Sequence, residues 1–157
     1  MATQDFTATF LVDQTPEEAF NAINNIRGWW IDEIEGHSEK LNDEFAVRFA
    51  DIHYSKQKLV ELIPSSKIVW LITESQLNFL QDKQEWNGTK ISFDITKKGE
   101  QTEVTFTHIG LVPKIECYKD CSNAWQDYIT NSLFTFITTG KGQPFKKKKS
   151  EASVAAH

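Results

Sequence analysis

The sequence predicts an α+β domain of antiparallel strands followed by one long C-terminal helix. Three observations predict it. Apolar residues alternate with a period of two from Phe6 to Val12 and in several later segments up to His108. Turn-forming runs, Pro64-Ser65-Ser66, Asn87-Gly88 and Lys98-Gly99-Glu100, separate those segments. Beyond Pro113 the apolar spacing changes to steps of three and four, from about Ile115 to Thr138.

The first strand places Phe6, Ala8, Phe10 and Val12 on one face and ends at Asp13-Gln14. Thr15-Pro16-Glu17-Glu18 then supplies an N-cap, a proline at the first helical position and a glutamate three residues after the cap, so a helix starts there. Ala19, Phe20 and Ile23 mark its inner face. Asn24-Asn25 interrupts it, and Ile26 to Ile31, with Gly28 inside, forms a short second helix carrying Trp29 and Trp30.

A strand is expected around Ile34 to His37, a further one through Phe45, Val47 and Phe49, and another from Lys58 to Ile63 that stops at Pro64. The continuous apolar run Ile68 to Ile72 predicts a strand central to the sheet or buried on both faces. Asn87-Gly88 is the preferred dipeptide of a tight hairpin and precedes Ile91, Phe93 and Ile95. After the turn at Gly99, the return strand places Val104, Phe106 and His108 on one face. The long helix shows Cys117, Cys121, Ala124, Trp125, Tyr128, Ile129, Ser132, Leu133, Phe136 and Ile137 along one side, and Gly140 predicts its C-cap.

The 157 residues suit one domain with a single core. Aromatic content of 12%, with five Trp and eleven Phe, means that this core is built from large rings. A net charge of −5 argues against nucleic acid, whose phosphates require a dominant basic face. No apolar stretch approaches the ~20 residues of a membrane span. The start, Met1 to Asp5, lacks the basic and apolar regions of a signal peptide, so the chain is read as cytoplasmic, with Cys117 and Cys121 reduced.

The order of elements, together with local motifs, carries a resemblance. Val12 with Thr15 to Phe20, the pair Trp29-Trp30, Leu59 to Pro64 with Lys67 to Trp70, Thr102 to Gly110, and Trp125 to Leu133 with Ile137 to Pro144 resemble the family named for activators of the heat-shock-protein-90 ATPase. The match covers roughly residues 5 to 144 and is to the free-standing bacterial type of this branch of the START-like, or SRPBCC, superfamily. The resemblance implies the helix-grip fold shared with the birch-pollen-allergen proteins: a curved antiparallel sheet of six to seven strands around the long C-terminal helix, with two short helices after the first strand. It also implies a cavity for small apolar molecules, and in a minority of members cyclase or hydrolase activity. The expected domain is 1–144, with 145–157 a basic, disordered tail.

Trp29, Trp30, Trp70, Phe93, Phe106 and Trp125 would converge if the sheet closes over the helix, as walls of a ligand site or as plain core packing. His108 joins them, either facing the pocket as a base or ligand anchor, or held structurally by hydrogen bonds. Cys117 and Cys121, four apart on a helix, read as packing residues, with a thiol switch or a His108-assisted metal site as the other possibilities. Glu61, Glu85 and Asp94 are the acidic candidates for pairing with His108, although no catalytic triad order, phosphate loop or zinc motif is present. The lysines 146–149 read as solvating, or as contacts for an acidic partner or membrane surface. No cofactor or metal is expected. The leading functional expectation is a carrier domain for a small hydrophobic or amphipathic molecule. The alternatives are a chaperone-related protein-interaction module and an enzyme using the same cavity.

Overall fold

A computed structural model of the chain describes residues 5–49, 53–78, 81, 83–112, 116 and 118–145. The strands are β1 (Phe6–Val12), β2 (Glu35–Gly36), β3 (Glu44–Phe49), β4 (His53–Ile63), β5 (Lys67–Leu77), β6 (Lys90–Lys98) and β7 (Gln101–Ile109). They form one antiparallel sheet in the order β1-β7-β6-β5-β4-β3-β2, with β5 in the middle, as its continuous apolar run predicts. Two register shifts between β4 and β5, at Lys56/Gln57 and Leu59/Glu61, bend the long central strands and help the sheet to curve. Phe93 pairs with Phe106 and Ile91 with His108, so the concave face of β6 and β7 is a continuous buried surface.

Two short helices, α1 (Pro16–Asn24) and α2 (Ile26–Trp29), follow β1. The capping box of α1 is complete: Glu18 N–H donates to Thr15 Oγ1 and Thr15 N–H to Glu18 Oε1, at 3.1 and 2.9 Å. The C-terminal helix has three consecutive segments, α3 (Tyr118–Asp127), a π-helical stretch Tyr128–Leu133 and α4 (Phe134–Thr139), capped by Gly140 at φ 86°.

The π stretch follows from the spacing of the buried side. Cys121, Trp125, Ile129, Leu133 and Ile137 are all buried at intervals of four. In a pure α-helix each such step overshoots the turn by about 40°, and four of them would swing the face by about 160°. The wider π turn takes back part of that drift and keeps the apolar row on the sheet. Near the end of this stretch Ser132 Oγ donates to Trp29 O at 2.6 Å and accepts from Gln143 N–H at 2.7 Å, which joins α2, the helix and the closing segment. Their approach leaves no room for side chains: a Cβ on Gly142 would lie 2.4 Å from Gly28 O, and one on Gly28 2.3 Å from the Phe136 ring.

Several expectations are corrected. β4 begins at His53, not Lys58, because Ser55 and Gln57 continue the inward row of Leu59 with polar side chains. Asn87-Gly88 does not close a two-residue hairpin: β5 runs on to Leu77, and Gly88, at φ 82°, ends the long connection to β6 by donating its N–H to Ile72 O. Phe145 is not part of a tail, since it bridges Ile31 and exchanges backbone hydrogen bonds with Trp30 and Asp32. Residues 146–157, with the lysine run, lie outside the described residues, as does Cys117.

Candidate functional site

The sequence delivers large rings from the elements that meet at one end of the sheet. Trp29 and Trp30 come from the end of α2, Trp70 from β5, Trp86 from the connection before β6, and Trp125 from α3. Their rings form one connected set, with centroids 6.1 Å apart for Trp29 and Trp30, 5.7 Å for Trp30 and Trp70, 5.0 Å for Trp30 and Trp125, and 6.0 Å for Trp86 and Trp125. Phe93 and Phe106 back this set, touching Trp29 and Trp125.

Beside it lies a cavity of about 290 Å³. Trp30, Trp86 and Trp125 provide one wall, and Phe49, Tyr128 and Phe145 another. Ala124 and Cys121 of α3 add small surfaces, and His53 and Asp120 are the polar points besides the Tyr128 hydroxyl. Burial raises the phenol of Tyr128 to about 12, helped by Asp127, so it stays a neutral O–H donor. A second hollow of about 320 Å³, beside α1, is lined largely by polar groups including Asn21, Arg27 and His37. The aromatic cavity is therefore the one suited to an apolar molecule.

Of the residues singled out in the sequence, Trp30 and Trp125 line this cavity. Trp29, Trp70, Phe93 and Phe106 are fully enclosed and stand behind them as packing. His108 is also fully enclosed and lies off the lining, against Trp86 and Trp125. Its Nδ1 accepts the Trp125 indole N–H at 3.0 Å, so its proton resides on Nε2, which meets Thr89 Oγ1 at 2.9 Å. Thr89 passes its own hydroxyl proton to Trp86 O at 2.6 Å. Both nitrogens are thus occupied, leaving no lone pair for a substrate proton and no hydrogen bond for a carboxylate. Burial lowers the pKa of His108 to about 3, with nearby His53 as a second cause.

Cys121 is disulfide-bonded, which corrects the reduced state expected. Among the described residues no group of three or more His, Cys, Asp or Glu is placed to hold a metal. Asp94 pairs with Lys67 at 3.0 Å on the outer face, and Glu85 accepts from Glu116 N–H at 2.8 Å.

Sequence reasoning missed His53, Ser55 and Gln57. Gln57 Nε2 donates to Ser55 Oγ at 2.6 Å, and Ser55 Oγ lies 3.0 Å from His53 Nε2. The signal was present, because these residues occupy every second position in phase with Leu59, but polar side chains on a core-facing row leave no hydrophobic alternation to detect. Burial lowers His53 to about 3, so it is neutral near pH 7. Its ring and that of His108 sandwich Trp86, each at 4.8 Å and nearly perpendicular to the indole. Gln57 Oε1 and the indole nitrogens of Trp70 and Trp86 are buried with no partner among the described residues.

No protein-family model matches the chain, and no curated protein matches its sequence. Solved structures match it closely in shape. The solution structure of the Aha1 dimer from Colwellia psychrerythraea aligns with a TM-score of 0.72 at 24% identity, over 88% of this chain and 99% of that one. The chain has the Aha1 fold. A similar fold appears in the protein Mll3558 from Rhizobium loti, with a TM-score of 0.66 at 15% identity, covering 82% of this chain and 93% of that one. It appears again in CalU16 from Micromonospora echinospora, with a TM-score of 0.60 at 13% identity, covering 89% and 88%. The START-like helix-grip architecture expected from the motifs is therefore present, with seven strands and the long C-terminal helix of the Aha1 fold. Among the described residues no helix is long and apolar enough to cross a membrane.

Proposed function

We propose that the chain is a cytoplasmic binding or carrier domain that takes a small hydrophobic or amphipathic molecule into the cavity between the sheet and the long helix. The observation that carries this reading is an aromatic-walled space of about 290 Å³ whose rings come from separate elements. Collapse would require α2, α3, the β3–β4 end and the Phe145 bridge to move together, and those elements are fixed by the tryptophan contacts and by Ser132. Covering about 300 Å² of ligand surface contributes about 7 kcal/mol before association costs, which corresponds to binding of about 10 μM or looser unless polar contacts add to it. Trp30 and Trp125 touch the occupant, while Trp29, Trp70, Phe93, Phe106 and His108 hold them in place.

Native mass spectrometry of protein purified from its own host, compared with the denatured sample, tests the proposal. An extra mass lost on denaturation supports it and reports the ligand class. A bare mass, combined with no binding across a panel of lipids and aromatics, overturns it. In that case a protein-interaction module comes first, the chaperone partner suggested by Aha1 being tested by stimulation of a chaperone ATPase. Among the described residues the exposed large apolar side chains, Leu11, Leu41, Val60, Ile63 and Ile109, are distributed over several segments and give that second reading no defined surface.

A further inference from the structure

His53 presents a feature that follows from the order of protons along β4. Ser55 Oγ accepts a hydrogen from Gln57 Nε2, so the serine's own hydrogen is available to His53 Nε2. With that hydrogen in the contact, Nε2 is the acceptor and the ring proton sits on Nδ1; a serine oxygen accepting a second hydrogen would reverse this. That nitrogen makes no hydrogen bond to a described residue. His53 itself lines the aromatic cavity, with its ring clamped edge-on between Phe49 and Trp86 at 5.0 and 4.8 Å.

A clamped ring with one nitrogen committed to the strand and the other left as an unpaired N–H is a fixed donor in an enclosure whose other polar points are Asp120 and the Tyr128 hydroxyl. We infer that His53 Nδ1–H anchors the occupant of the cavity, which is a flat, largely apolar molecule carrying a hydrogen-bond acceptor such as a ring carbonyl. The inference rests on the cavity-binding reading above and names the chemistry of that same site. His108 makes the opposite choice of tautomer, Nε2–H, because the indole of Trp125 can only donate to it. The two histidines flanking Trp86 therefore differ in role: His108 is closed within the core, and His53 offers its proton outward. A ligand without an acceptor would leave that donor unsatisfied on burial, which sets the specificity of the site.

Two experiments on the full chain test this. Long-range proton–nitrogen NMR correlations on the free protein should show His53 as the Nδ1–H tautomer and His108 as Nε2–H; an Nε2–H His53 overturns the inference without any variant. Titrations then use indanone and its carbonyl-free counterpart indane, against the wild type and His53→Phe, which keeps a ring and removes the donor. The expected result is that His53→Phe weakens indanone about tenfold and changes indane less than about twofold. Equal changes for both ligands, or none for either, overturn the anchoring role while leaving the cavity reading intact. Failure of both ligands to bind the wild type counts against the cavity reading itself, and the anchoring role falls with it.

Discussion

The indole N–H of Trp125 donates to Nδ1 of His108 across 3.0 Å, and this bond fixes α3 to the buried face of β7 near the strand's C-terminal end. Because indole cannot accept, protonating His108 would set two N–H groups against each other. The histidine is in effect a neutral bracket between helix and sheet, with Thr89 and Trp86 O completing the chain.

Replacing His108 with Ala removes the bracket and strands the Trp125 donor in a fully enclosed position. The expected loss is about 3 kcal/mol, combining the cavity left behind with an unsatisfied indole N–H. Urea unfolding monitored by far-ultraviolet circular dichroism measures it. A loss below about 1 kcal/mol would show that the bond contributes little.

Stability should fall as the solution is acidified from pH 6.5 toward 3. His53 and His108 each have a folded-state pKa near 3 against 6.5 for the unfolded side chain, so between those values the unfolded chain binds more protons. Stability therefore rises with pH across that window and levels off above it, with a slope of up to about 1.4 kcal/mol per pH unit for each histidine. Unfolding curves at pH 5 and pH 7, a range mostly above the titration of ordinary carboxylates, isolate the effect. The difference should shrink in His53→Phe.

Two glycines should respond to alanine for different reasons. Gly142→Ala places a methyl 2.4 Å from the backbone oxygen of Gly28, so the closing segment must shift, at about 2 kcal/mol or more. Gly88→Ala meets nothing within 4 Å but sits at φ 82°, where a side chain costs about 1 kcal/mol. Thermal melting of both should rank Gly142→Ala as the more damaging.

Thr15→Ala breaks the reciprocal bonds of the α1 capping box and should cost about 1 kcal/mol. Amide hydrogen exchange in the first turn of α1 should accelerate, while β6 and β7 retain their protection.

Much of the sheet was legible because a core face made of apolar residues writes itself as a period of two. Val104, Phe106 and His108 on β7 were placed this way, and all three are fully enclosed. The same rule failed on β4, where Ser55 and Gln57 occupy core positions and hydrogen-bond to one another instead of supplying apolar contrast. Steps of three and four located the long helix, but they are equally compatible with the π stretch, which arises only because the buried row must stay on a sheet. Phe49 shares the alternation of Phe45 and Val47, but the cavity residues Trp86 and Phe145 come from a connection and a segment after Gly and Pro, where local pattern carries no information about direction. Their convergence is set by long-range closure, as in the bridge between Phe145 and Ile31.

The connected set of tryptophan rings makes the protein a single optical unit. With every indole in contact with at least one other, excitation absorbed at Trp29 or Trp70 can migrate through Trp30 to Trp125 and Trp86, which border the cavity. A molecule entering beside those last rings would change the emission of the whole set, so the intrinsic fluorescence of the unlabelled chain doubles as a gauge of occupancy.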